Sequence, residues 1–393
     1  MPDSIQFPGV FVEEIPAGVK PIAGVATAIT AFVGRTVKDP VGPRDCFSFA
    51  DFERDFGGRA PGYPLGDAVE DFFQNGGRHA VIVRVREESL PAARAAALLG
   101  DPLQGTGIYA LDHVDLFNLL CIPPDPADAT YDQLQPLYQA AAVYCQKRRA
   151  MLILDPPAVW GDDARQGKFG QIQPTDLGIG GPEEARNCAV YFPRIKKFDP
   201  ATEEVAVFAV CGAIAGIFAA TDNSRGVWKA PAGIEAGIVG IAGLEFNLTD
   251  GQSGQLNPLG INSLRSFPTV GPVVWGARTL RGADVFSDDY KYVPVRRLAL
   301  YIEESLYRGS KFAVFEPNDE ALWSKLRLVI SKFMADLVRQ GACYGYYVTC
   351  DRTTTTLDDI DRGVVNILVG FAPVRPAEFV VLRITQPAGQ TAS

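Results

Sequence analysis

Histidine is nearly absent: the 393-residue chain has two, His79 and His113. Catalysis built on an imidazole base has only these two places to start. His79 follows Gly76-Gly77-Arg78 and opens an apolar stretch, and His113 precedes another, so both suit turns at strand starts. Cysteine pairs at ligand or redox spacing are also missing. The seven cysteines, Cys46, Cys121, Cys145, Cys188, Cys211, Cys343 and Cys350, include no CxxC, and most stand in apolar runs, where a thiol behaves as a small hydrophobe. They are read as reduced. That suits folding in a bacterial cytoplasm, as does a start, Met1-Pro2-Asp3-Ser4, without the basic and apolar stretches of a signal peptide. Positive charge is in deficit, with 37 Lys and Arg against 46 Asp and Glu for a net charge of −9. Such a balance argues against a phosphate-neutralising surface, so nucleic acid is not an expected partner. The run Lys147-Arg148-Arg149 reads as a solvated helix end, with docking of an acidic protein surface as the alternative. Val205 to Ala220 is continuously apolar but shorter than the roughly 20 residues of a membrane span, and it is flanked by Glu203, Glu204 and Asp222. It is expected as one buried helix, with Gly212 and Gly216 admitting a close neighbour, and no membrane insertion is expected.

Searches for reactive motifs end in near-misses. Gly251-Gln252-Ser253-Gly254-Gln255 lacks the last glycine of a nucleophile elbow. Gly161 to Phe169 fails as a phosphate loop in its spacing and in having Phe169 where a hydroxyl should hold magnesium. The glycines at 178, 180 and 181 follow no clear strand. Asp155 ends an apolar strand, a position where α/β enzymes place acids, but Pro156-Pro157 also make it a turn residue. A cytosolic α/β enzyme working through Asp155 and nearby acids is the rival reading. Cys343 and Cys350 have no ligand partners at suitable spacing. No catalytic, cofactor-binding or metal-binding residue is therefore assigned, and no cofactor is expected.

Hydrophobic residues at 47% and charged residues at 21% are ordinary for a packed protein, and the length suits two or three domains. The pattern predicts a multidomain α/β and α+β protein. Residues 1-20 form an extended arm, with a strand pattern between Pro8 and Pro16. Residues 21-100 form a small α+β part, with strands at Ala28 to Val33 and Ala80 to Val85 and a helix near Leu65 to Phe73. Residues 101-270 form an α/β middle domain. Its apolar strands, Val114 to Ile122, Met151 to Asp155 and Cys188 to Phe192, alternate with helices, which implies a mostly parallel sheet covered on both faces. Residues 271-376 form an α+β C-terminal domain. One helix there carries the stripe Val295, Leu298, Ala299, Ile302 and Leu306, with Glu304 and Arg308 paired on its exposed side. A second is capped by Asn318, has Asp319 and Glu320 in its first turn, carries Leu322, Leu326, Val329, Ile330, Phe333 and Leu337, and ends at Gly341. Strands follow at Val364 to Phe371 and Glu378 to Thr385, the latter inside a terminal arm, 377-393.

Particular strings say more than motifs do. Gly271-Pro272-Val273-Val274-Trp275-Gly276-Ala277-Arg278-Thr279-Leu280 and Tyr292-Val293-Pro294-Val295-Arg296-Arg297-Leu298 closely resemble the contractile tail sheath family. So do Ile302-Glu303-Glu304-Ser305, Phe315-Glu316-Pro317-Asn318-Asp319, Gly370-Phe371-Ala372-Pro373 and Pro376-Ala377-Glu378-Phe379-Val380. Pro8-Gly9-Val10-Phe11-Val12-Glu13-Glu14 and Arg225-Gly226-Val227-Trp228-Lys229-Ala230-Pro231-Ala232-Gly233 extend the resemblance over most of the chain. It implies a structural subunit that polymerises with itself as stacked hexameric rings around an inner tube protein, ending on baseplate and terminator or cap proteins, in a phage tail or tail-like particle released by lysis. It further implies terminal strands that pair with neighbouring subunits, here through Val10, Phe11, Val12 and Ile15 and through Phe379, Val380, Val381, Leu382 and Ile384. The helix from Asp319 to Gln340 would face the tube with Lys325, Arg327, Lys332 and Arg339.

Overall fold

In a strand covered on both faces, alternate side chains enter different cores, and Met151–Leu154 does this plainly. Leu152 and Leu154 join one apolar cluster while Met151 and Ile153 join another. The computed structural model describes residues 21–86, 90–125, 134–199 and 202–379. Its strands are β1 (Thr30–Gly34), β2 (Arg44–Cys46), β3 (Ala80–Arg84), β4 (Leu119–Cys121), β5 (Met151–Leu154), β6 (Cys188–Phe192), β7 (Ile195–Asp199), β8 (Glu204–Phe208), β9 (Gly243–Leu244), β10 (Ile261–Phe267), β11 (Gly271–Val274), β12 (Cys343–Thr349) and β13 (Leu368–Pro373). The helices are α1 (Phe49–Phe56), α2 (Pro64–Gln74), α3 (Pro91–Leu99), α4 (Gln135–Lys147), α5 (Ala158–Arg165), α6 (Pro182–Ala185), α7 (Cys211–Arg225), α8 (Asp250–Leu256), α9 (Val293–Gly309), α10 (Glu320–Arg339) and α11 (Leu357–Asp361).

The described chain divides into two units, Val25–Glu304 with residues 373–379, and Ser305–Ala372 with residues 21–24. The larger is built on an eight-stranded sheet in the order β11-β10-β6-β5-β4-β1-β3-β2. From β10 to β3 the neighbours run parallel, and only the edge strands β2 and β11 are antiparallel. The strands between residues 21 and 100 form no sheet of their own, because β1 sits between β3 and β4 and joins both halves by parallel pairing. One face packs on α3, α4 and α5 through Leu98, Leu137, Tyr138 and Trp160. The other packs on α1, α2 and α7 through Phe52, Val69, Phe72, Ile214 and Phe218. Burial on both faces accounts for the uninterrupted apolar strands.

The apolar run from Val205 is not one helix. Val205–Phe208 lies in β8, paired antiparallel with β7, and the helix starts only at Cys211. Apolarity without a period cannot distinguish the two, and the β-branched Val205 and Val207 favour the strand. Gly212 and Gly216 do admit a neighbour: a Cβ at Gly212 would stand 2.0 Å from the Ala68 carbonyl oxygen, and one at Gly216 would stand 2.5 Å from that of Phe72, both on α2.

Three ionic or capping expectations are corrected. Glu304 is buried and pairs with Arg149 at 3.0 Å, so it does not lie on an exposed helix face. Arg148 is no solvated helix end, since it donates to the carbonyls of Leu111 and Val114, each at 2.6 Å, and lies over the Phe117 ring. The N-cap of α10 is Asp319, whose carboxylate accepts from the Leu322 N–H at 2.9 Å. Asn318 instead accepts from the Trp323 indole and donates to the Val364 carbonyl.

In the smaller unit, α10 buries the expected stripe, with Leu322, Trp323 and Leu326 meeting Cys350, Phe312, Ile360 and Ile367. The strand expected from Val364 begins at Leu368. It pairs with β12 in a sheet that has two strands among the described residues.

Candidate interaction surfaces

The residues weighed as catalytic are occupied by structure. Asp155 follows β5 and is buried, and its carboxylate accepts from the backbone N–H of Val210 and, at 3.1 Å, from that of Cys211. It holds the first turn of α7, where unpaired N–H groups and the helix dipole favour a carboxylate. Burial raises its pKa, opposed by those hydrogen bonds. His79 Nε2 meets Asp45 Oδ1 at 2.7 Å on the surface beside β2. Ser253 lies within α8, where Thr249 and Gln252 make a reciprocal capping pair, so the near-match to a nucleophile elbow is an ordinary helix start. Among the described residues no group of three or more His, Cys, Asp or Glu is placed to hold a metal, and no helix is long and apolar enough to cross a membrane. A hollow of about 110 Å³ beside α7, reached by Thr221, Arg225, Lys229 and Glu235, is well below the roughly 300–1,000 Å³ of ordinary small-molecule sites.

The exposed features are of a different kind. β12 and β13 each have one edge that pairs with no other described strand. Such edges present unpaired N–H and C=O groups, and a two-stranded sheet is marginal alone. Tyr344 is 77% exposed on β12, and Leu368 is 52% exposed on β13. Gly370 of β13 has Tyr347 of β12 lying so close over it that a Cβ would stand 2.1 Å from the ring.

The four basic residues named for α10 do not all lie on one stripe of the helix. Lys325, Lys332 and Arg339 recur at helical spacing on one stripe, which also carries Leu328, 67% exposed. Arg327 leaves that stripe to bond Glu320 at 2.7 Å and the Cys350 carbonyl. Lys325 lies 5.0 Å from the centre of the Phe312 ring, and Arg339 is salt-bridged to Asp336 one turn back. Leu328 went unnoticed in the sequence because a lone apolar residue on a polar face carries no period. Of the proposed arm residues, Phe379 is the one described, and it is 76% exposed. Val10, Phe11, Val12, Ile15, Val380, Val381, Leu382 and Ile384 lie outside the described residues.

An unrecognised charged cluster joins β7 to α2. Lys197, buried in β7, reaches Asp71 at 2.6 Å and Glu70 at 3.3 Å, and Arg59 holds Asp67 at 2.6 Å. Burial pushes Asp71 up to about 7 against the pull of Lys197. Alternation in β7 would have singled out Lys197 had that strand been recognised.

The family described as the phage tail sheath C-terminal domain matches residues 287–386. The tail sheath protein of Vibrio phage KVP40 is 29% identical over 174 residues, 44% of this chain and 26% of that protein. The chain spans about a quarter of the length of the first curated relatives it matches, 26% in each case. Among solved structures, the helical sheath of the anti-feeding prophage in its contracted state is 31% identical with a TM-score of 0.76, over 98% of this chain and 99% of that one. The sheath complex of the extracellular contractile injection system PVC, also contracted, is 27% identical with a TM-score of 0.71, over 98% of both chains. Agreement of sequence and fold along nearly the whole of both chains makes this chain a member of the contractile tail sheath family.

Proposed function

We propose that the chain is the repeating subunit of a contractile injection machine. Copies stack as hexameric rings in a helical array around an inner tube and remain in a metastable extended packing. A baseplate signal then releases a shorter, wider packing that drives the tube through a target envelope. The observation that carries this reading is the nearly full-length match to a helical sheath in its contracted state. The work comes from the difference between two discrete packings, so no nucleotide is needed.

The open edges of β12 and β13 support strand addition. Main-chain hydrogen bonds from an incoming strand supply affinity, and alternate side chains supply register. Drawn out as a strand, residues 1-20 would reach on the order of 60 Å at about 3.3 Å per residue, enough to leave their own subunit. The C-terminal segment from Phe379 through Val380, Val381, Leu382 and Ile384 would supply the second such strand. The α10 stripe of Lys325, Leu328, Lys332 and Arg339 suits the tube, with an apolar centre flanked by cations, and terminator or cap proteins close the far end. The first experiment is removal of residues 1-20. The truncated chain is expected to remain folded but to stop at monomers or rings in negative-stain images, whereas full-length ribbed tubes from it would refute strand linkage.

A further inference from the structure

Two strings that resembled the sheath family, Gly276-Ala277-Arg278-Thr279-Leu280 and Pro376-Ala377-Glu378-Phe379, lie about a hundred positions apart, and the fold brings them into contact. Arg278 is almost wholly buried, with 1% of its side chain exposed, against 18% for Glu378. Its Nε donates to Glu378 Oε1 at 2.7 Å and its Nη2 to Oε2 at 2.6 Å, a two-pronged fit of planar groups. The Nη1 group is satisfied separately by the carbonyls of Asn257 and Gly282 and by Asp284. The arginine is itself held in place, since Asn262 accepts from its backbone N–H at 2.7 Å and donates to its carbonyl at 2.8 Å. The Tyr292 hydroxyl adds a bond to Glu378 Oε2 at 3.3 Å. One residue farther on, Phe379 is exposed. The neighbouring pair Arg375–Asp289, at 3.6 Å and largely exposed, contributes little by comparison.

We propose that Arg278 is a positioning residue for assembly: by gripping Glu378 it fixes where, and in which direction, the C-terminal segment leaves the subunit to meet a neighbour. This inference rests on the sheath reading. A strand that must add in one register to another subunit's sheet is helped by a fixed root, because every uncertainty at the root is lost entropy on pairing. A mobile root would still permit pairing, but at a lower effective concentration.

The test uses the full chain with Glu378→Gln, which keeps size but puts an N–H donor against the guanidinium where an acceptor stood. Hydrogen exchange of the 374–379 peptide in the unassembled subunit is expected to rise, while circular dichroism stays that of the wild type. Polymer yield by sedimentation and negative stain is expected to fall roughly tenfold, the cost of one poorly matched charge-assisted contact. Asp284→Asn, which touches the same guanidinium away from the root, is expected to leave both readouts near wild type. The clamp is overturned if Glu378→Gln exchanges at the wild-type rate, if it polymerises at wild-type yield beside a polymerising wild type, or if Asp284→Asn is equally defective. A wild-type chain that never polymerises counts against the sheath reading alone, and the exchange measurement still decides the clamp.

Discussion

Replacing Gly212 with alanine should destabilise the larger unit, although the same exchange normally strengthens a helix. Alanine in a helix interior is favoured over glycine by about 1 kcal/mol, which is the upper limit at Gly212, the second residue of α7. Here the new Cβ would stand 2.0 Å from the Ala68 carbonyl oxygen, and real Cβ atoms essentially never come closer than 3.0 Å. Either α2 or α7 must therefore retreat by about 1 Å, which opens the packing around Phe72 and Ile214 in a core that tolerates little adjustment. Overpacking of this kind costs about 1–3 kcal/mol and sometimes more. With backbone as the obstacle the upper end applies, so the net loss is about 2 kcal/mol, a fall in Tm of about 4–8 °C. Gly254→Ala is the internal control. It sits on the exposed side of α8 with nothing within 4 Å of a new Cβ, and it should raise Tm by about 1–3 °C. Both variants are to be melted by calorimetry under dilute conditions that keep the subunit unassembled. A Gly212→Ala protein that melts at or above the wild type would refute the claim that α2 and α7 pack backbone to backbone.

The cluster around Asp71 predicts a pH dependence. Burial raises Asp71 from 3.8 to about 7, so across that interval the folded chain holds a proton that the unfolded chain has released. The associated stability is complete below 3.8, declines as pH rises, and is lost through about 7. Lys197, Glu70, Asp67 and Arg59 face the same carboxylate cluster. Wild-type Tm should therefore fall more steeply between about pH 4 and pH 7 than that of Asp71→Asn, and parallel curves would remove Asp71 from the account. For the stripe proposed to face the tube, Lys332→Glu with Arg339→Glu reverses two exposed cations, one of them paired with Asp336, and should change the melt little while weakening co-sedimentation with tubes roughly tenfold. Unchanged co-sedimentation would exclude this face.

Long periodic elements were legible in the sequence. The stripes of α9 and α10 buried the residues that their spacing named except Leu306, which is half-buried near the end of α9, and the continuous apolar strands at 151 and 188 lie in a parallel sheet covered on both sides. Gly212 and Gly216 also signalled a close approach, though not the partner. What failed was local arbitration. Val205 to Ala220 has no period, so only pairing with β7 shows that its first part is a strand. Asn318 and Asp319 are both good caps, and choosing between them depends on the Trp323 indole claiming Asn318. Glu304 looked solvated until Arg149, far away in sequence, was brought beside it. The Arg278–Glu378 contact was hidden for the same reason, since neither residue names its partner, although both lie in strings that had stood out. The α10 cations were found by composition; their seven-residue spacing already sets Arg327 apart from the others, and its bonds to Glu320 and Cys350 show where it goes instead.

All seven cysteines are buried and none forms a disulfide. A single cysteine introduced on an exposed position, at Val41 or Leu103 for instance, would thus be the one thiol open to a maleimide dye or spin label. Distances between labelled copies in an assembled sample would then be measurable without first building a cysteine-free background, and the native chain would serve as its own unlabelled control.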